Sequence, residues 1–152
     1  MLLHAEAQEL VVAAIAPDDG SEVRLAPLAA AAWQRMEAAA RADGVVIWPI
    51  SGFRSVERQA AIIRGKLAGG QAIDEILRLV AAPGYSEHHS GRALDVGVPD
   101  EPLLEEGFAL TLAFAWLERR AAEFSFYLSY PKGNTYGIKY EPWHWCYRPS
   151  LE

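Results

Sequence analysis

"SEHHSGRALDVGV", residues 86–98, runs from a loop of Ser, His and Gly directly into an apolar segment that contains one acid, Asp95. The segment 92–98 alternates as a β-strand should, and successive strand side chains leave opposite faces. Asp95 sits between Leu94 and Val96, where a carboxylate is costly unless it is paired or bound to a metal. His88 and His89 are adjacent, so their rings diverge and one of them at most serves such a site. The residue types leave two readings open: half of a metal site, or a polar loop that happens to contain histidine.

Upstream, "RLAPLAAAAWQRMEAAARADG" (24–44) predicts a helix, with Pro27 in the first turn, apolar residues at helical spacing and Gly44 beyond the end. "VVIWPI" (45–50) predicts a buried strand that leads into "SGFRS" (51–55). A second helix is expected from Val56 to Lys66 and a third over 73–80. Downstream, 108–123 predicts a largely buried helix. "FSFYLSY" (124–130) and "GIKYEPWHWCY" (137–147) predict two strands joined at "PKGN". The order is α+β, with helices packed on a small, mainly antiparallel sheet.

The chain has 152 residues and is 51% hydrophobic, enough for one core. A single domain is expected over 25–150, preceded by an N-terminal extension, 1–24. The net charge of −6, without a Lys/Arg cluster, argues against nucleic acid. The apolar run "ALTLAFAWL" (109–117) is far short of the roughly 20 residues that cross a bilayer. Cys146 is the only cysteine, which leaves His and carboxylate to hold any metal. It reads as a small core residue. Leu151-Glu152 reads as an appended dipeptide, and the expected state is a monomer.

"YEPWHWCY" (140–147) sets Glu141 and His144 among aromatic residues, where burial raises a carboxyl pKa toward the range of a general base. In a regular strand the two would face opposite ways, and Pro142 is expected to break that regularity. Trp143, Trp145 and Tyr147 read as packing residues.

Taken together, "SEHHSGRALD" fits the pattern Ser-x-His-x-x-Gly-x-Ala-x-Asp and "EPWH" fits Glu-x-x-His. In these motifs, in "SGFRS" and in "YPKGN…YEPWHW", the chain resembles the D-alanyl-D-alanine carboxypeptidase family of bacterial zinc peptidases, relatives of lysostaphin-type peptidases and the hedgehog domain. The resemblance spans about residues 25–148.

The resemblance implies one zinc ion held by His88, Asp95 and His144, with His89 left out. It implies Glu141 as general base and then acid, and Arg54 as the group that stabilises the oxyanion. Ser86 would bond the substrate near its terminus and Gln59 would contact the substrate; Ser86 also suits a simple turn cap. His89 reads as solvated or as a hydrogen-bonding neighbour of the site. The implied reaction is hydrolysis of the terminal peptide bond of peptidoglycan stem peptides or precursors by a zinc-activated water. The alternatives are an L,D-carboxypeptidase, a peptidoglycan endopeptidase of the phage-lysin type, or a zinc module that only binds. A base beside the metal favours an enzyme. The first twenty residues lack a basic n-region and carry Glu6 and Glu9, against a secretory signal. For a wall enzyme this leaves a trimmed leader, cytoplasmic precursors as substrate, or release of a phage protein.

Overall fold

The computed structural model describes residues 1–149; Leu151 and Glu152 lie outside them. A two-stranded hairpin, β1 (Val11–Ile15) and β2 (Glu22–Leu25), opens the chain, followed by α1 (Pro27–Ala42) and β3 (Trp48–Ser51). Then come α2 (Val56–Ala68), α3 (Ile73–Leu79), a 3-10 turn (Glu87–Ser90) and β4 (Ala93–Gly97). The chain ends with α4 (Leu112–Arg120), β5 (Phe126–Leu128) and β6 (His144–Tyr147). The main sheet has the order β3-β4-β6-β5 and all its pairs are antiparallel, which is the expected α+β arrangement.

The alternation of β4 decides how the layers meet. Leu94 and Val96 turn to one face and join Trp145, Phe126, the α1 stripe of Ala29, Trp33, Met36 and Ala40, and Trp116 and Leu117 of α4 in one core. Asp95 turns to the other face, and the cleft opens there. In α1, the alanines let the helix lie close to the sheet. The backbone N–H of Asp43 closes its last turn and Gly44 takes the left-handed conformation beyond it.

Three local expectations change. The predicted helix over 108–123 breaks at Thr111, which is extended and whose Oγ1 accepts from Phe114 N at 3.2 Å. A 3-10 turn (Glu106–Leu110) precedes the break, and Leu110 and Leu112 face solvent at 90% and 81% exposure. The two C-terminal strands are shorter than predicted, and 129–143 is a long loop instead of a tight hairpin. Two prolines, Pro131 and Pro142, cannot donate to a ladder. Asn134 instead ties the loop together, donating to Pro131 O and Ile138 O and accepting from Tyr136 N. Residues 1–24 are woven into the domain: Ala13, Ala16 and Val23 lie in the core. Glu6 accepts the N–H of Val56 at the start of α2, and Ala7 N donates to His89 O.

Candidate active site

Antiparallel register puts the chemistry in one row. Ser51 of β3 stands opposite Asp95 of β4, and Asp95 stands opposite His144 of β6; partners in such pairs share a face. The 3-10 turn before β4 then brings His88 over the same spot. Ligand atoms of His88, Asp95 and His144 lie within 4.8 Å of one another, and all three residues are buried. His88 Nε2 is 3.3 Å from Asp95 Oδ1, and His144 Nδ1 is 3.2 Å from the same oxygen.

The residues fit a metal ion. Asp95 Oδ1 is buried without a hydrogen-bond partner, whereas Oδ2 accepts from Ser51 Oγ at 2.8 Å. His88 Nδ1 lies 2.7 Å from the Gly52 carbonyl. A carbonyl only accepts, so Nδ1 carries the proton and the Nε2 lone pair faces Asp95. The set of two imidazoles and one carboxylate is the usual protein half of a catalytic zinc site.

Charge around the cluster follows from burial and pairing. Burial works against the Asp95 charge, but the facing His88 and His144 rings hold its pKa well below the carboxylate range. Burial also works against a charged His144, and its pairing with the Asp95 and Glu87 carboxylates overcomes this and raises its pKa. Glu141 is pushed up to about 7, chiefly by burial and with repulsion from Asp95 adding to it. Its Oε1 is 3.8 Å from His144 Nδ1. Pro142 and a turn closed by His144 N–H on Glu141 O bring both side chains to the cleft, as expected.

The cleft is about 530 Å³ and is lined by Arg54, Ser86, Tyr130, Glu141 and Trp143 together with the three-residue cluster. That volume is within the range of small-ligand clefts. Arg54 is held from beneath: its Nη1 donates to Gln59 Oε1 at 2.9 Å, and Gln59 Nε2 donates to Ala81 O at 2.7 Å. Gln59 is 1% exposed and both ends of its amide are engaged, so it positions Arg54. Ser86 Oγ accepts the N–H of His88 and caps the 3-10 turn, leaving its own proton free for the cleft.

Of the two expected roles for His89, the structure shows the hydrogen-bonding neighbour and not the solvated ring. It is fully buried, with Nδ1 2.7 Å from Arg54 O and Nε2 accepting from Gly84 N at 3.1 Å. It fastens the "SGFRS" loop to the turn beside the His88–Asp95–His144 cluster. Leu104, also at the cleft, has a left-handed φ of 57°, an uncommon conformation for a leucine. Residues that no local pattern marked include Ser51, Tyr130 and Glu87. The Tyr130 ring lies 4.8 Å from that of His144. Burial, and then the nearby Glu87 and Glu141 charges, push its phenol pKa upward. Glu87 Oε1 is 2.9 Å from His144 Nε2. Cys146 is buried, and this holds its thiol neutral by pushing the pKa up to about 12.

A D-alanyl-D-alanine carboxypeptidase of Enterococcus faecalis (strain ATCC 700802 / V583) is 36% identical over 121 residues, which cover 72% of this chain and 42% of that protein. The chain thus spans less than half the length of that relative. The LdcB LD-carboxypeptidase superposes with a TM-score of 0.85 at 29% identity, covering 95% of this chain and 70% of the other. A D,D-pentapeptidase VanY variant in complex with Zn(II) superposes with a TM-score of 0.69 at 28% identity, covering 97% and 86%. The family model "VanY: D-alanyl-D-alanine carboxypeptidase" matches residues 22–150, and the chain therefore belongs to the D-alanyl-D-alanine carboxypeptidase family.

Proposed function

We propose that this chain is a zinc-dependent D-alanyl-D-alanine carboxypeptidase that hydrolyses the terminal peptide bond of peptidoglycan stem peptides or their precursors. The carrying observation is the convergence of His88, Asp95 and His144 on one point at the floor of a cleft that also holds Glu141 and Arg54. Its relationship to the Zn(II)-bound VanY variant supports zinc as the metal. No helix among the described residues is long and apolar enough to cross a membrane.

Zinc, when bound, polarises the scissile carbonyl and lowers the pKa of a water ligand from about 15.7 toward about 7. Glu141 takes the proton of the attacking water as its oxygen adds to the carbonyl carbon. It then gives that proton to the amine nitrogen as the C–N bond breaks, so D-alanine leaves with a neutral amine. Burial suits Glu141 to both directions, since a base and acid work best with a pKa near the operating pH. The Arg54 guanidinium, oriented by Gln59, faces the charge that grows on the carbonyl oxygen. Ser86 donates its hydroxyl to the terminal carboxylate, and Tyr130 and Trp143 wall off water.

A second reading, an L,D-carboxypeptidase that trims tetrapeptides, is favoured by one observation: the LD-carboxypeptidase LdcB superposes better than the VanY variant, 0.85 against 0.69. One experiment separates them. Zinc-loaded protein is incubated with muramyl pentapeptide and muramyl tetrapeptide, and released D-alanine is measured by mass spectrometry. Pentapeptide cleavage is expected, with Glu141→Gln slower by about 10²–10⁴-fold while it retains zinc. Cleavage of tetrapeptide alone selects the second reading, and no release from either, or an equally active Glu141→Gln, refutes both.

A further inference from the structure

Glu87 neither lines the cleft nor reaches the convergence point, yet its carboxylate is almost fully engaged. Its side chain is 12% exposed. Oε1 is 2.9 Å from His144 Nε2 and accepts from Ser129 Oγ at 2.5 Å. Oε2 accepts from Arg148 Nη2 at 2.7 Å, and the same guanidinium nitrogen reaches Ser129 Oγ at 3.1 Å. These partners come from three places: the first residue of β6, the residue after β5 and the residue after β6. An ion pair with Arg148 alone would need only Oε2. The second oxygen is turned inward, to the far side of a ring whose near side faces Asp95.

A carboxylate only accepts, so the proton of a neutral His144 ring sits on Nε2. The Nδ1 lone pair then points at the place where the His88 Nε2 lone pair and Asp95 Oδ1 meet. An acceptor behind a ligating imidazole fixes its tautomer and orientation and raises its basicity. We infer that Glu87 is a positioning residue for the metal site: it sets the tautomer and tilt of His144, and Arg148 and Ser129 hold it in place. This assignment rests on the reading that the cluster takes zinc. The turn thus contributes one ligand directly, through His88, and aims a second one from behind, through the residue next to it.

The test measures zinc affinity by competition with a chromophoric chelator for the wild type, Glu87→Ala, Glu87→Gln and Arg148→Ala, each as the full chain. Glu87→Ala is expected to bind zinc about 10–100-fold more weakly. Glu87→Gln, which keeps the shape, should fall between it and the wild type, and Arg148→Ala, which leaves Ser129 on the carboxylate, should lose clearly less than Glu87→Ala. Long-range proton–nitrogen NMR of the zinc-loaded proteins supplies a readout that a merely structural role would not move. The His144 Nε2–H proton should be protected from exchange in the wild type and lost in Glu87→Ala, while the His88 signals stay in place. Glu87 variants that bind zinc within about twofold of the wild type, or an Arg148→Ala loss as large as that of Glu87→Ala, would overturn the assignment. Failure of the wild type to bind zinc would instead overturn the proposed function and carry this assignment with it.

Discussion

Replacing Gly52 with alanine tests whether the fold and the metal site share a single close contact. A Cβ at Gly52 would press into the Arg24 carbonyl oxygen and lie 3.0 Å from Leu25 Cδ2 and 3.2 Å from Val23 Cγ1. Carbon contacts settle at about 3.5–4.0 Å, so the "SGFRS" loop must retreat from β2 by on the order of 1 Å. Two hydrogen bonds of 2.7 Å lie in the path of that retreat: Phe53 N to Arg24 O, and His88 Nδ1 to Gly52 O. Overpacking costs about 1–3 kcal/mol and each of the two hydrogen bonds contributes about 1 kcal/mol, which puts the total near 3–5 kcal/mol. At about 2–4 °C per kcal/mol for a domain of this size, the melting temperature should fall by roughly 6–20 °C. Because the second bond orients the His88 ring, zinc affinity should drop about tenfold or more as well if His88 is a ligand as proposed. Circular dichroism melts of the metal-free protein and chelator competition read the two effects separately. A Gly52→Ala protein that melts within about 1 °C of the wild type and binds zinc as tightly would refute the close-contact argument.

Chelating the metal should lower the melting temperature by roughly 8–16 °C if zinc was present at about a thousand times its Kd, equivalent to about 4 kcal/mol. The far-UV spectrum should stay unchanged, because the β4–β6 ladder is made of backbone bonds; loss of the spectrum would contradict this. Asp43 accepts from Trp116 Nε1 and Arg120 Nη1, each at 2.8 Å. The Trp116 bond, followed by Arg120, holds its carboxyl below the ordinary range. A depressed carboxyl stabilises the fold above its unfolded pKa of about 3.9, and the gain fades as pH falls through the lower folded value. Asp43→Asn should therefore be less stable than the wild type in urea at pH 7, with a gap that narrows below about pH 4; a constant gap would argue against linkage. Leu104→Gly relieves a left-handed backbone costing about 1 kcal/mol, so its stability should change by less than about 1 kcal/mol. The lost cleft contact should raise KM severalfold in a peptidase assay, and an unchanged KM would remove Leu104 from substrate binding.

The cluster was readable because its members are chemically costly where they stand. Asp95 inside an apolar strand and Glu141 beside His144 among aromatics each demanded an explanation, and the fold supplies one in a shared cleft. What escaped local reading depends on register. Ser51, Glu87 and Arg148 matter because of what stands across the sheet or behind it, and no local pattern encodes that pairing. The hairpin of residues 11–25 escaped for a similar reason: its exposed Val11, Val12 and Ile15 hide the alternation that buries Ala13 and Val23, and a bulge shifts its register. The helix at 108–123 was overextended because Leu110 and Leu112 look like core residues, whereas Thr111 caps a new helix between them.

The row Ser51–Asp95–His144 crosses three strands at one level, and this makes the metal a proofreader of strand alignment. A slip of one residue in β6 would turn His144 to the opposite face and set an indole, that of Trp143 or Trp145, against the buried Asp95. Chains misaligned in this way could still collapse around the same apolar residues, but they would have no cation-binding trio. Metal content per chain, measured on freshly refolded protein, therefore counts the molecules whose central strands found the right partners.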